Sequence, residues 1–255
     1  VDSDGGGESY SAKPRIVADG DGRVHAVWED LRNANNDIYY NTSSNHGETW
    51  NGADTRIDVD SDAMPAESFG AVLAADPSGL VAVVWHDQRN GDNSDIYASV
   101  STTAGASFHQ PLRLDALTGG GVNDSLFPDV AIADGEILVA YRDDRNNASF
   151  DVFFTKSTDA GQSFEDEIAI DTDQGGAHSV EPVMRANDDG RVVVAWTDLG
   201  DPSKDHWEDI LYNVYEDGGE SWEDDELRVD DDGRNTARSI GVKMEMQDDD
   251  LFFVW

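Results

Sequence analysis

No cysteine occurs in the 255-residue chain. A disulfide framework and a thiolate metal site are therefore excluded, and the redox compartment leaves no mark. Lysine is almost missing too, with Lys13, Lys156, Lys204 and Lys243 the whole set. Lys and Arg together number 17 against 54 Asp and Glu, a formal net charge of -37. Such a surface repels nucleic acid and anionic membrane, so no nucleic-acid partner is expected. No apolar run approaches the length of a membrane span, and no membrane insertion is expected. No stretch holds apolar spacing at the helical period. Nor does a Pro-, Gly- or Ser-rich linker divide the chain, which reads as one domain over residues 1–255.

What is present is a repeat. SSNHGETW from Ser43, STTAGASF from Ser101, STDAGQSF from Ser157 and YEDGGESW from Tyr215 recur at intervals of about 57 residues. Each is preceded by an apolar run ending in an aromatic and an Asp, a polar loop, and a second run opening with Asp: VHAVWED then DIYYNTS, VAVVWHD then DIYASVS, ILVAYRD then DVFFTKS, VVVAWTD then DILYNVY. A further run precedes these and another follows the octapeptide, making four short β-rich runs, A to D, per repeat. No such unit buries itself alone. The pattern predicts an all-β fold, a β-propeller of four-stranded antiparallel blades that cover one another's faces. The blades fall at about 13–60, 69–115, 128–171 and 182–230, with a partial fifth at 240–255. The opening VDSD reads as an outermost D strand, and the last residues as strands A and B of the fifth blade.

The octapeptides resemble the Asp box, SxDxGxxW, of the bacterial neuraminidase repeat found in sialidases and other propellers. Ser157, Asp159, Gly161 and Phe164 follow it with one aromatic exchange; Asp217, Gly219 and Trp222 follow it with Tyr215 in place of Ser. Ser43, Asn45, Gly47 and Trp50 form the first copy, and Ser101, Gly105 and Phe108, with Thr103 at the Asp position, the second. A structural role is expected: a short polar side chain bonds backbone amides, Gly supplies positive φ, and the aromatic closes the turn against the blade. The boxes join C to D on one face with the A–B turns. The B–C loops and the D-to-A crossovers lie on the other, where the resemblance implies that ligand chemistry belongs.

The acids are spread over every turn. A protein that folds in concentrated salt accounts for this, and a halophilic source is expected. Calcium held by the runs DVDSD from Asp58 and DDDG from Asp230 is the alternative, although neither has full calcium-loop spacing; otherwise no cofactor or metal is expected. Propellers of this family are commonly exported, which implies an extracellular or cell-surface location.

Three blades carry a polar trio at the B–C loop: Asp30, Arg32 and Asp37; Asp87, Arg89 and Asp95; Asp143, Arg145 and Asp151. The expectation is a clamp in which two carboxylates hold the Arg. The sialidase resemblance offers a second reading, with Arg15, Arg32 and Asp37 at first-blade catalytic positions, Asp37 as acid/base. Against it, Arg15 is followed by Ile16 and Val17 rather than Ile and Pro, no aromatic precedes it, and the Arg and Asp pair recurs. The further Arg residues and Tyr nucleophile of a retaining sialidase have no recognisable counterparts, with Arg185, Arg228, Arg234 and Arg238 available. Blade four differs: its B–C loop lacks the clamp Arg and adds Lys204, His206 and Trp207, which could stack on a sugar or anchor a partner. His178 lies in the crossover on the same face. Ser11, Ser68, Ser125, Ser179 and Ser239 recur before strand A and shape the crossover turn rather than serve as nucleophiles. The expected function is a non-catalytic propeller binding glycan or a surface protein through its B–C face. The alternatives are a sialidase-like glycoside hydrolase and an architectural module of a larger cell-surface protein.

Overall fold

Runs such as VAVVWHD are apolar almost throughout, with β-branched residues that stiffen an extended backbone. In a layered stack of small sheets such strands are buried on both faces, and Val81–Asp87 is buried at every position but His86. The computed structural model describes residues 2–3, 10–60, 66–116, 119–146, 149–171, 177–187, 189–200, 208–215, 222–223, 226–230 and 238–255. Among the described residues there is no helix.

The first sheet comprises β1 (Ser11–Ala18), β2 (Val24–Asp30), β3 (Asp37–Ser43) and β4 (Thr55–Arg56), hydrogen-bonded in that order. The second holds β5 (Ser68–Ala75), β6 (Val81–Asp87), β7 (Asp95–Ser101) and β8 (Leu112–Arg113), and the third β9 (Ser125–Ala133), β10 (Glu136–Asn146), β11 (Ser149–Ser157) and β12 (Ile168–Ala169). The fourth holds β13 (Ser179–Ala186), β14 (Val192–Asp198), β15 (Asp209–Tyr215) and β16 (Leu227–Arg228); β17 (Lys243–Gln247) and β18 (Asp250–Val254) form a hairpin. Neighbours are antiparallel throughout. Strand A of each sheet contacts strand A of the next, from β1 to β17, so the A strands line the inner side. These are four propeller blades and the first half of a fifth.

The core sits in the seams. Val27, Ile38, Tyr40 and Ile57 of blade one pack on Val83 and Trp85 of blade two. Blades two and three meet through Val84, Ile96, Val139 and Tyr141, and blades three and four through Phe154, Met184 and Trp196. Each fully buried large side chain contributes about 1.5–3 kcal/mol. Within the octapeptide turns, Ser43 Oγ accepts from the Gly47 amide at 2.9 Å, and Ser157 Oγ accepts from the Gly161 amide at the same distance. Asn45 and Asp159 each accept from an amide four residues on, at 2.9 Å.

The final aromatic does more than close its own turn. Phe108 packs edge-on against Tyr40 of the preceding blade at 4.8 Å, and Trp222 against Phe154 at 5.0 Å. Trp222 is buried in its seam, whereas Trp50, Phe108 and Phe164 are half-buried. Gly105, at φ +79°, is required twice over, because a Cβ there would overlap the Tyr40 hydroxyl. Asp217 and Gly219 lie outside the described residues. Hydrogen bonds from His46 to Gly22 and from Ala104 to Gly79 put the boxes beside the A–B turns. Those from Ser68 to Asn36, Ser125 to Ser94 and Leu199 to His178 put the crossovers beside the B–C loops, on the opposite face.

Candidate functional site

The B–C face is built from a module that strand B dictates. Trp85 and Asp87 are two apart on β6, so their side chains leave the same side of the sheet. The Trp85 indole N–H donates to Asp87 Oδ2 at 2.9 Å, and Arg89 forks onto both oxygens of Asp87 at 2.8 and 2.6 Å. The guanidinium then lies over the Tyr97 ring at 4.2 Å. Burial pushes the Asp87 carboxyl up, but Arg89 and the indole outweigh it and hold the group below the usual carboxylate range. Arg145 repeats the fork on Asp143 at 2.8 and 2.8 Å and covers Phe153. Arg32 contacts Asp30 at 2.7 Å, lies over Tyr39 at 3.9 Å, and is closed off by Asp54 and Asp2, each at 3.0 Å.

The expected clamp of two carboxylates is therefore corrected. The strand-C Asp of each trio does not hold the loop Arg. Asp37 instead faces Arg56 of β4 at 2.8 Å, off the line of the N–H, and accepts from Asn33 at 2.7 Å. Asp95 and Asp151 accept from Asn90 and Asn146 in the same way. Asp30 and Asp37 face each other across the ladder, but Arg56, paired with Tyr39 two residues along, lies beside Asp37 on the same face and takes it, leaving Arg32 to Asp30. Arg56 also grips Asp58 and Asp60, Arg113 grips Asp115, and Arg228 grips Asp230 and Asp209. At Asp58 and Asp60 a guanidinium thus occupies the space between the acids that a calcium ion would need. Among the described residues no group of three or more His, Asp or Glu is arranged to hold a metal ion.

This second cluster was legible in TRID, LRLD and LRVD, and the Asn partners in the recurrent Arg-Asn pairs 32–33, 89–90 and 145–146. Asp37 is fully buried, and burial pushes its pKa to about 6 in spite of Asn33 and Arg56. The crossover serines bind carboxylates: Ser68 donates to Asp87 at 2.9 Å, and Ser125 lies 2.6 Å from both Asp115 and Asp143. Arg185 reaches Glu245 and Arg238 reaches Glu208. Arg15 is exposed on β1, level in register with Val72, Asp129 and Val183 of the next blades. Lys204, His206, Trp207 and Arg234 lie outside the described residues.

Nearer the axis the repeats stop agreeing. Each A strand breaks register at a bulge with left-handed backbone at Lys13, Gly70, Phe127 and Glu181, φ +48° to +63°, and Gly241 adopts the same conformation before β17. Against each of the last four lies the residue between the strand-B aromatic and its Asp. Glu29 accepts from the Gly70 amide at 2.8 Å and pairs with Lys13 at 3.1 Å; Thr197 lies 3.3 Å from the Gly241 amide. His86 packs between Phe69 at 5.8 Å and Phe127 at 6.1 Å, with burial holding its pKa down to about 4. Arg142 is enclosed between Phe127 at 4.5 Å and Phe150 at 4.2 Å, and Phe150 packs on His178 at 5.8 Å. Three non-glycine residues in a sparsely populated backbone region, each costing of order 1 kcal/mol, mark this inner ring as the candidate site.

No family model matches the chain, and no curated protein does. Solved structures do. An intramolecular trans-sialidase from Ruminococcus gnavus in complex with oseltamivir carboxylate superposes with a TM-score of 0.59 at 12% identity, over 86% of this chain and 71% of that one. A Penicillium chrysogenum α-L-arabinanase complexed with arabinobiose gives 0.58 at 14% identity, over 86% and 66%. The fold is that of the sialidase-like β-propellers. A protein of unknown function from Dyadobacter fermentans shares it, with a TM-score of 0.61 at 15% identity over 96% and 75%. Beside a microbial sialidase, Hz136, this chain spans 45% of the neighbour's length. The first three blades carry the repeated clamp; in the fourth, Asp198 is followed by Leu199 and Gly200, with no Arg at the clamp position.

Proposed function

We propose that this sialidase-like propeller is a non-catalytic binding protein, exported by a halophile, that takes a glycan on the inner part of its B–C face. One observation carries the reading: Arg32 and Asp37, which the sialidase resemblance makes catalytic, are each closed into pairs that recur in other blades. Arg32 is held by Asp30, Asp54 and Asp2, as Arg145 is by Asp143 and Glu167. Asp37 is bonded as Asp95 and Asp151 are. A ring has one axial site, so a constellation repeated around it is scaffold.

The inner ring has the opposite character, since Glu29, His86, Arg142 and Thr197 differ blade by blade at one structural position. Half-exposed aromatics beside them suit the faces of sugar rings. A sugar ligand is preferred to a surface protein because two of the neighbours were solved with arabinobiose and 2,7-anhydro-Neu5Ac bound. The enzyme reading has one observation in its favour, the raised pKa of Asp37. Zero exposure of that carboxylate argues against its meeting a substrate.

The test is turnover of a fluorogenic sialoside and a fluorogenic arabinofuranoside at molar salt, with a glycan array in parallel. The expected result is no turnover and binding to a restricted glycan class. Turnover that vanished in Asp37→Ala would replace this reading with the glycoside-hydrolase one.

A further inference from the structure

An asparagine followed by glycine is the pair most prone to lose its side-chain amide, since glycine has no Cβ to hinder attack by its own backbone nitrogen. The chain has two such pairs, Asn51–Gly52 and Asn90–Gly91, both in exposed turns. The structure separates them. The Asn90 side-chain amide donates to Asp95 Oδ2 and to the Tyr97 hydroxyl, each at 2.7 Å. Its carboxamide also lies against Gly120, where a Cβ would come within 2.9 Å of Cγ. The nitrogen that would attack it, the Gly91 amide, donates to the Gln88 carbonyl at 3.2 Å. Reaction at Asn90 therefore requires several contacts to open first.

Asn51 is held by its backbone and not by its side chain. Its amide donates to the Thr42 carbonyl at 3.0 Å, and its carbonyl accepts from Asn41 Nδ2 at 3.1 Å. Among the described residues the exposed Asn51 carboxamide has no hydrogen-bond partner, and neither has the Gly52 amide. A Cβ built on Gly52 would meet nothing within 4 Å, so the carboxamide has room to turn onto the next nitrogen. Close by in the chain stands Asp54. Its carboxylate takes Arg32 Nη1 at 3.0 Å, Asn41 Nδ2 at 2.9 Å and the Ser3 hydroxyl at 2.8 Å. The buried Asn41 thus clips residue 51 and Asp54 to one spacing, and that spacing sets where Asp54 meets Arg32.

We propose that Asn51 is a self-modification site, converted to aspartate and isoaspartate in the folded protein, whereas Asn90 is protected. The Gly52 nitrogen attacks Asn51 Cγ. A C–N bond forms, the Cγ–Nδ2 bond breaks, and ammonia leaves with the proton that the Gly52 nitrogen gives up. Water then opens the succinimide at Cγ to give aspartate, or at the main-chain carbonyl to give isoaspartate. The second product inserts a methylene into the main chain and turns the carbonyl that Asn41 holds into part of a carboxylate. The spacing between residue 51 and Asp54 is then lost, and with it the fit of Asp54 on Arg32. The modification acts on the first-blade clamp from the octapeptide turn.

The experiment incubates the native chain in molar KCl at mildly alkaline pH and follows the two peptides by mass spectrometry, with isoaspartate resolved by chromatography. The Asn51 peptide is expected to show the amide-to-acid mass gain in both product forms. Its rate should exceed that of Asn90 about tenfold or more, the factor set by the hydrogen bond that Asn90 gives to a charged carboxylate. Unfolded in urea, the two pairs should react at similar rates, because the fold alone protects Asn90. Gly52→Ala, at a position outside the left-handed region, should suppress the reaction at Asn51 and leave Asn90 unchanged. The modified fraction, resolved from the parent by its extra negative charge, should melt about 2–4 °C lower, the scale of one lost contact in a chain of this size. Asn51→Asp, which adds the charge and keeps the main chain, should melt with the parent. An Asn51 that survives in the native chain, an Asn90 that reacts as fast, or aspartate without isoaspartate would each overturn the proposal. A modified fraction that melts with the parent would overturn its action on the clamp.

Discussion

The hydroxyl of Ser11 sits 2.7 Å from the carboxylate of Asp2, the same contact that Ser125 makes with Asp115 two blades on. Asp2 thus stands where the strand-D aspartates Asp58, Asp115 and Asp230 stand for the blades that follow, and Ser68 and Ser239 complete the series. The crossover serine ties the end of one blade to strand B of the next. Ser125 does so from full burial, between Asp115 and Asp143. Replacing it in Ser125→Ala strips both carboxylates of that partner and should cost about 1–3 kcal/mol, read from urea unfolding. A loss below 0.5 kcal/mol, roughly the noise of such a measurement, would show that the hydroxyl is replaceable by water.

Arg89 fills the clamp of blade two. Arg89→Met leaves Asp87 buried with the Trp85 indole and Ser68 as donors, and should destabilise by about 3–5 kcal/mol. Asp87→Asn in the same background should recover part of that loss, because the uncompensated charge goes with it. No recovery in the double variant would mean that stacking on Tyr97, rather than the ion pair, is the larger contribution.

Acidity should act on Asp37 and Asp115, whose pKa burial pushes to about 6. A carboxyl near 3.9 when unfolded and near 6 when folded stabilises fully below about pH 4, and that contribution is lost as pH rises through 6. His86 runs the other way: held to about 4 when folded, it lowers stability in acid and ceases to do so above its unfolded pKa near 6.5. The wild-type profile should therefore be shallow between pH 4 and 7, with the components separable by substitution. Asp115→Asn should gain relative to wild type as pH rises from 4 to 7, whereas His86→Gln should gain as pH falls; parallel profiles would contradict the assignment.

Salt should matter more than for an ordinary domain. With a net charge of -37, self-repulsion in dilute buffer is offset in molar KCl by screening over about 3 Å. Melting temperature should climb steeply between 0.1 and 2 M KCl. A flat response would remove the argument for a halophilic source.

The fold was open to reading because its cause is periodic. Four phased octapeptides and four apolar runs ending in an aromatic and an Asp leave little choice but stacked four-stranded sheets. The clamp was half legible. Asp30, Arg32 and Asp37 are close in sequence, but alternation along the strands and the bends of the B–C loop send Asp37 to Arg56, a partner 19 positions away. The row through Arg142 and Phe127 was not read at all, since those residues sit on different strands of the third blade and repeat at no equivalent position of the others. One signal was present: the position between the strand-B aromatic and its Asp is Glu, His, Arg and Thr in turn, variable amid constant neighbours.

That position carries an evolutionary consequence. Glu29, His86 and Arg142 each stand beside a backbone bulge of the next blade and Thr197 beside Gly241, while the clamps of the first three blades are held by residues of their own. If the hub is the ligand face proposed above, specificity and foldability are written in separate letters of the same strand. A lineage could exchange one side chain per blade and present a new surface at the hub, giving up at most the single amide contact that Glu29 or Thr197 makes with the next blade while the apolar seams keep the wheel together.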